Sequence, residues 1–240
     1  MTKLVCVSDL HLDVVTDGAP RAYEIETCMM VASERAYDIM QGSKGNTPEN
    51  VLFIFAGDLT DPHSPRCHRA IAAAVRCARG LDRHRIDSVW MTGNHDVFDD
   101  GSGDHTLLAL GALGGGVAAV DAPHVLHIGG KSIVFLPFTA LSNAYSPDEY
   151  IRQLSNPPDV VIGHLNLEGI TPGSESSEYA RGRSVYWPIE ALRECCPDAM
   201  LIGGHYHERQ VFQGVQIIGA MARLTHGEAD HAPGFLVVDI

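Results

Sequence analysis

No two of the six cysteines in this chain, at positions 6, 28, 67, 77, 195 and 196, are spaced as C-x-x-C. Nothing in their scatter resembles the disulfide framework of a small secreted chain. Cys195 and Cys196 are adjacent, and a bond between neighbours would be strained. All six are therefore expected as reduced thiols, buried or on helix faces. Basic charge is also scarce: 17 Lys and Arg stand against 30 Asp and Glu, for a net charge of −13. That balance disfavours non-specific polyanion binding, which relies on Lys and Arg replacing counterions. No apolar run approaches the ~18 residues of a membrane-spanning helix. Only Leu4–Val7 is apolar between Lys3 and Ser8, too little for a signal-peptide core. A phosphate-cradling G-x-G-x-x-G after a strand is missing too; Gly114-Gly115-Gly116 is expected as a flexible connection. From these absences a cytoplasmic protein without a membrane segment is expected. With 240 residues, 45% of them hydrophobic, one domain over residues 1–240 is the expectation.

What is present is an alternation of short apolar runs with longer amphipathic stretches. Leu4–Val7, Val51–Ala56 and Ile86–Met91 read as buried strands. Ile25, Met29, Ala32, Ala36 and Ile39 give residues 21–40 one apolar stripe at helical spacing. Ala70, Ile71, Ala74, Val75 and Ala78 do the same for 65–81. Strand, helix, strand, helix, strand implies right-handed parallel crossovers. Residues 104–113 suggest a short helix, and 124–128 with 132–136 flank Gly129-Gly130 as a hairpin. The second half repeats a phrase: Val160–Ile162 then Gly163-His164, and Met200–Ile202 then Gly203-Gly204-His205. Residues 188–196 suggest a short helix, 208–212 and 215–218 a hairpin, and 235–240 a last strand.

Five polar punctuations each follow an apolar run: Asp9-Leu10-His11, Gly57-Asp58, Gly93-Asn94-His95-Asp96, Gly163-His164 and Gly204-His205-Tyr206-His207. In an open α/β sheet the C-terminal strand ends form one edge, where ligands bind. The residue types gathered there would be Asp, Asn and His without thiolate, a set for a hard-to-borderline divalent metal. There are enough of them for two ions, and two-metal catalytic sites hold ions roughly 3.5–4 Å apart. Asp58, leaving the most apolar strand, is the natural bridge. Asp9 and His11, two apart on an extended segment, would share a side and could hold one ion; His205 and His207 have the same relation. The mixed N/O set suits Mn²⁺, Fe or Zn²⁺ better than Mg²⁺ or Ca²⁺.

The ordered blocks D-x-H, G-D, G-N-H-[DE], G-H and G-H-x-H resemble the signature of the calcineurin-like metallophosphoesterase superfamily, and they span Asp9 to His207. That resemblance implies a four-layer αββα sandwich of the α/β class, with the metal site at the C-terminal strand ends. It implies that Asp9, His11 and His207 hold one ion, that Asn94, His164 and His205 hold the other, and that Asp58 bridges them. It gives His95 a catalytic role, contacting the phosphate or protonating the leaving oxygen, which a histidine can do near neutral pH. Asp61, in a G-D-x-x-D pattern, is favoured as the residue steadying His95; its neighbour Asp96 is the alternative. A bridging water made acidic by the ions would attack phosphorus in line.

Substrate class rests on finer features. Pro62-His63 breaks the phosphoprotein-phosphatase continuation G-D-x-x-D-R-G. The purple-acid tyrosine ligand is absent. Residues 218–224 with Glu228 resemble the segment after the last motif of bacterial repair nucleases, and Asp58-Leu59-Thr60-Asp61 resembles the cyclic-nucleotide phosphodiesterases. Both suggest a phosphodiester, nucleotide-like or small. The chain has no stretch for the nucleases' extra domain, so a compact Mn²⁺-dependent nuclease acting on short nucleic acid is the alternative. A non-catalytic metal-binding scaffold is the alternative of another class. Asn166, Arg181 and Arg183 are candidate substrate contacts, with Tyr186. Of the other histidines, His63 and His105 follow closest on motif blocks.

Overall fold

Strand side chains in this protein alternate between two apolar environments, which fixes its layers. The computed structural model describes residues 2–42, 50–60, 67–98, 103–138, 145–170 and 187–240. In chain order the strands are β1 Thr2–Val7, β2 Val15–Thr16, β3 Ala19–Pro20, β4 Asn50–Ala56, β5 Asp87–Met91, β6 Val117–Val120, β7 His124–Ile128, β8 Lys131–Leu136, β9 Val160–Gly163, β10 Met200–Gly203, β11 Gln210–Phe212, β12 Val215–Ile217 and β13 Leu236–Asp239. The helices are α1 Ala22–Gln41, α2 Cys67–Arg83, α3 Leu108–Gly111, α4 Pro147–Arg152 and α5 Ile189–Cys195, with a 3₁₀ turn at His226–Glu228.

One sheet has the order β13-β1-β4-β5-β6, and the other β11-β12-β10-β9-β8-β7. Within the first, β1, β4, β5 and β6 run parallel and β13 is antiparallel at the edge. Within the second, β12, β10, β9 and β8 are parallel, flanked by antiparallel β11 and β7. Leu4, Cys6, Leu52, Ile54, Val89 and Met91 face Ile133, Phe135, Val160, Ile162 and Ile202 between the sheets. The residues one step along, Val5, Val7, Phe53, Phe55 and Trp90, face α1 and α2. Val134, Leu136, Val161 and Leu201 pack with Ile151, Ile189 and Leu192 of α4 and α5. The period of two thus sends each strand into two cores, and the four-layer αββα sandwich follows.

The apolar stripe of α1 is buried at Ile25, Met29, Ala32, Ala36 and Ile39. That of α2 is rotated from the expected face: Ala70, Ala73, Ala74, Cys77, Ala78 and Leu81 are buried, while Ile71 and Val75 are half-exposed. Three elements go beyond the sequence expectation. β6 follows Gly114–Gly116, which forms a defined turn rather than a flexible link: Gly116 N–H donates to Asp82 and the Gly116 carbonyl accepts from Ser88 N–H. α4 and the β2–β3 pair are the others. The helix expected over 104–113 is confined to α3. Cys6, Cys28, Cys77, Cys195 and Cys196 are free. Among the described residues no helix is long and apolar enough to cross a membrane.

Trp90 is fully buried, with its ring centroid 5.4 Å from Phe55 and 6.0 Å from Phe53, and its indole N–H on Ser88 Oγ at 3.0 Å. Trp90→Ala should lower the unfolding free energy by about 3–5 kcal/mol, measured as a shift in the urea midpoint.

Candidate metal centre

The loops leaving β1 and β4 are laced together. Asp9 N–H donates to the Gly57 carbonyl, Leu10 and His11 N–H to that of Asp58, and Leu12 N–H to that of Leu59, all at 2.9–3.1 Å. Asp9, His11, Asp58 and His205 have φ of 52°, 40°, 63° and 82°. Left-handed backbone is unfavourable for residues with a Cβ, and such strain gathers at functional sites. Asp9 and His11 therefore converge through a tight turn, not through the extended segment anticipated from their spacing. Two glycines leave the needed room. A Cβ on Gly57 would lie 2.2 Å from His164 Nδ1, and one on Gly93 2.1 Å from Asp58 Oδ1.

The side chains meet in two groups. Asp9, His11 and His207 form one; Asp58, His164 and His205 form the other; within each, one ligand-capable atom per residue lies within 4.8 Å of the rest. Asn94 Oδ1 joins the second group, 3.0 Å from His164 Nε2 and 2.9 Å from His205 Nδ1. Asp58 Oδ2 stands between the groups, 3.3 Å from His164 Nε2 and 3.8 Å from His11 Nε2. His95 lies beside them, its ring 4.8 Å from that of His11 and its backbone N–H donating to Asp58 Oδ1 at 2.9 Å.

Hydrogen bonds behind the rings set their tautomers. His11 Nδ1 faces the Thr60 carbonyl at 3.0 Å and His164 Nδ1 the Ala56 carbonyl at 2.7 Å. A carbonyl only accepts, so each Nδ1 carries hydrogen and, in the neutral ring, each Nε2 turns a lone pair into the site. His207 Nδ1 faces Glu228 Oε1 at 2.9 Å. In the second group His164 turns Nε2 toward two oxygens, Asn94 Oδ1 and Asp58 Oδ2, an arrangement that calls for positive charge, from a proton on the ring or from a metal ion. Among the described residues Asp9 Oδ1 and His11 Nε2 are buried without a hydrogen-bond partner, which is costly unless something binds them. Donor atoms about 2.1 Å from one divalent ion sit roughly 3.0–3.4 Å apart, from octahedral to tetrahedral geometry, close to the 2.9–3.3 Å spacings of Asn94, His164 and His205. The residues present fit divalent metal ions, and backing of metal-facing histidines by carbonyls or carboxylates is the usual supporting arrangement.

The charges respond to this crowding. Burial pushes the Asp9 carboxyl up to about 6 and the His11 imidazole down to about 3, helped by His95. Burial opposes ionisation of Asp58 as well, but His164 and His95 overcome it and hold Asp58 well below the usual carboxylate range. For His164, burial is outweighed by Asp58 and Asp9, raising the ring to about 9. Burial, then His164, drives His205 well below its ordinary value.

Asp96 does not turn its carboxylate to the His95 ring. It takes the N–H groups of Asp58, Leu59 and Gly93 at 2.9–3.0 Å and the Thr106 hydroxyl at 2.9 Å, and so fixes the Asp58 turn. His95 Nδ1 is buried without a hydrogen-bond partner among the described residues. Asp61, His63, Arg181, Arg183 and Tyr186 lie outside those residues. Asn166 sits half-buried two residues past His164, its carbonyl accepting from Trp187 N–H at 2.8 Å. His105 is buried and faces Asp121 at 3.3 Å, and is not in either group. The sequence pattern did not assign work to Thr60, Ala56 or Glu228; two act through backbone carbonyls, which no side-chain pattern betrays.

The family description "calcineurin-like phosphoesterase" matches residues 2–209. The chain belongs to this family. Calcineurin-like phosphoesterases are metal-dependent hydrolases of phosphoric esters, and this chain is one by membership. Among solved structures it is similar to a phosphopantetheinyl hydrolase from Mycobacterium tuberculosis, at 14% identity and a TM-score of 0.46, over 91% of this chain and 90% of that one. It is also similar to a protein of unknown function, AQ665, from Aquifex aeolicus, at 15% identity and a TM-score of 0.32, over 82% and 94%. No curated protein matches in sequence.

The close approaches and buried charges of this calcineurin-like centre can each be tested. Gly93→Ala should abolish Mn²⁺ binding by displacing Asp58, while Gly80→Ala, with nothing within 4 Å of the new Cβ, should leave it unchanged in equilibrium dialysis. Metal uptake should also release protons. Below about 9 His164 carries a proton in the metal-free protein, and below about 6 so does Asp9; a ligand must shed it. Affinity should therefore rise with pH from 6 to 9. Titration calorimetry in buffers of different ionisation enthalpy should find about one proton released at pH 7 and fewer above 9.

Proposed function

We propose that this chain is a Mn²⁺-type phosphodiesterase acting on a nucleotide-like or small phosphodiester. The observation that carries the reading is the pair of Asp/His groups with Asp58 Oδ2 between them and His95 alongside. In this reading Asp9, His11 and His207 would hold one ion, Asn94, His164 and His205 the other, and Asp58 would contribute to both. Two divalent ions bound there would supply Lewis acidity, lowering the pKa of a water and offsetting charge on phosphoryl oxygens. The mixed N/O donor set favours Mn²⁺, with Fe or Zn²⁺ as alternatives.

The chain's own residues complete the chemistry. Asp96 and the lacing between the β1 and β4 loops hold Asp58 in its strained turn, so that no rearrangement is needed as charge develops. In this reading His95, its ring 4.8 Å from that of His11, would give the departing ester oxygen a proton. Charge supports the diester: a chain of net charge −13 repels a singly charged diester less than a doubly charged monoester. The likeness of residues 218–224 and of Asp58–Asp61 to diester-cleaving branches points the same way.

Asp58→Asn should lose metal and activity together. His95→Asn should retain both ions, by elemental analysis, and lose about 10²–10⁴-fold in turnover; a fully active, metal-replete His95→Asn protein would remove His95 from the mechanism. A panel of an aryl phosphodiester, its monoester, cyclic nucleotides and single-stranded DNA with Mn²⁺ tests the substrate class. Small diesters should be hydrolysed fastest. Preference for the monoester would overturn the diesterase reading, and preference for single-stranded DNA would favour the compact nuclease.

A further inference from the structure

The two groups differ in what stands behind their histidines. His11 and His164 give their Nδ1 hydrogens to backbone carbonyls, those of Thr60 and Ala56. His207 gives its hydrogen to a carboxylate, Glu228 Oε1, at 2.9 Å. Glu228 is buried, and its side chain also takes the Leu224 N–H and, at 3.3 Å, the Thr225 hydroxyl. Those donors make a buried carboxylate tolerable and hold it in place. A carboxylate behind an imidazole increases its electron donation to a metal more than a neutral carbonyl does. With Asp58 standing between the groups, the first has a further anionic residue, Asp9, where the second has the neutral amide of Asn94.

We propose that Glu228 is a positioning residue for His207 that makes the Asp9, His11 and His207 group the tighter of the two metal sites, so that it fills first. The segment carrying Glu228 lies beyond the last motif, 21 residues after His207, and its conformation is tied to that site through Leu224 and Thr225. This inference rests on the reading that the two groups hold ions, and deepens it by ordering them.

Stepwise Mn²⁺ binding to the metal-freed full chain tests it, using Mn²⁺ alone and detecting the free ion by electron paramagnetic resonance. Unaltered protein should show two steps. Glu228→Gln should weaken the first about 10-fold and Glu228→Ala up to about 100-fold, leaving the second within about twofold. In a His207→Ala background Glu228→Gln should change neither step, because the partner through which Glu228 acts is gone; a merely structural role would still show there. Equal losses in both backgrounds, a loss falling on the second step, or unchanged steps would overturn the assignment while leaving two-ion binding intact. An unaltered chain that bound no Mn²⁺ would overturn the metal-centre reading and this one together. The amide that Glu228→Gln introduces cannot accept from every donor the Glu228 carboxylate serves, so a check on the unaltered chain is added. Nitrogen-15 spectra of the metal-free protein should show His207 with hydrogen on Nδ1, and hydrogen on Nε2 would overturn the proposal.

Discussion

Asp58 is a carboxylate buried where the two sheets meet, on a residue whose φ of 63° puts its backbone in a region that favours glycine. Burial and strain each work against this placement, and much of the nearby structure compensates for them. Asp96 holds the N–H groups of Asp58 and Leu59; the Asp58 carbonyl takes two N–H groups from the β1 loop; His95 N–H reaches Oδ1. Gly93 leaves space where a methyl group would strike the carboxylate. His164, raised by Asp58 to about 9, is the other half of the balance: protonated, it is a stand-in for the cation the donor atoms call for.

That constraint explains why the two sheets are arranged as they are. Asp9, Asp58 and Asn94 leave the C-terminal ends of β1, β4 and β5 in one sheet; His164 and His205 leave β9 and β10 in the other. Neither sheet alone carries a complete set. The shared core of Leu4, Ile54 and Met91 against Phe135, Ile162 and Ile202 therefore sets the distance across which Asp58 meets His164. Gly57 lies at a close approach between the sheets, where a Cβ would fall 2.2 Å from His164 Nδ1.

Much of this was legible in the sequence, for physical reasons that also mark the limit. Continuous apolar runs such as 51–56 advertise strands buried on both faces, and the polar block after each marks its C-terminal end. So the residues that meet could be named without the structure. β6, with the weakly apolar Val117–Val120, and the six-residue α4 gave too little periodicity to register. Asp9 and His11 converge through positive-φ turns, which Asp and His do not signal as glycine does. Asp96 misled by adjacency: it follows His95 directly, yet the turn carries its carboxylate back to the Asp58 backbone. Glu228 comes to His207 only through the fold of the segment after β12.

In the proposed centre Asp58 would join two ions. Electron paramagnetic resonance of the protein loaded with two equivalents of Mn²⁺ tests it most directly. A carboxylate shared between the ions predicts an exchange-coupled spectrum, replaced in Asp58→Asn by the six-line signal of unbound Mn²⁺. Two independent six-line spectra from the unaltered, fully loaded protein would contradict the account.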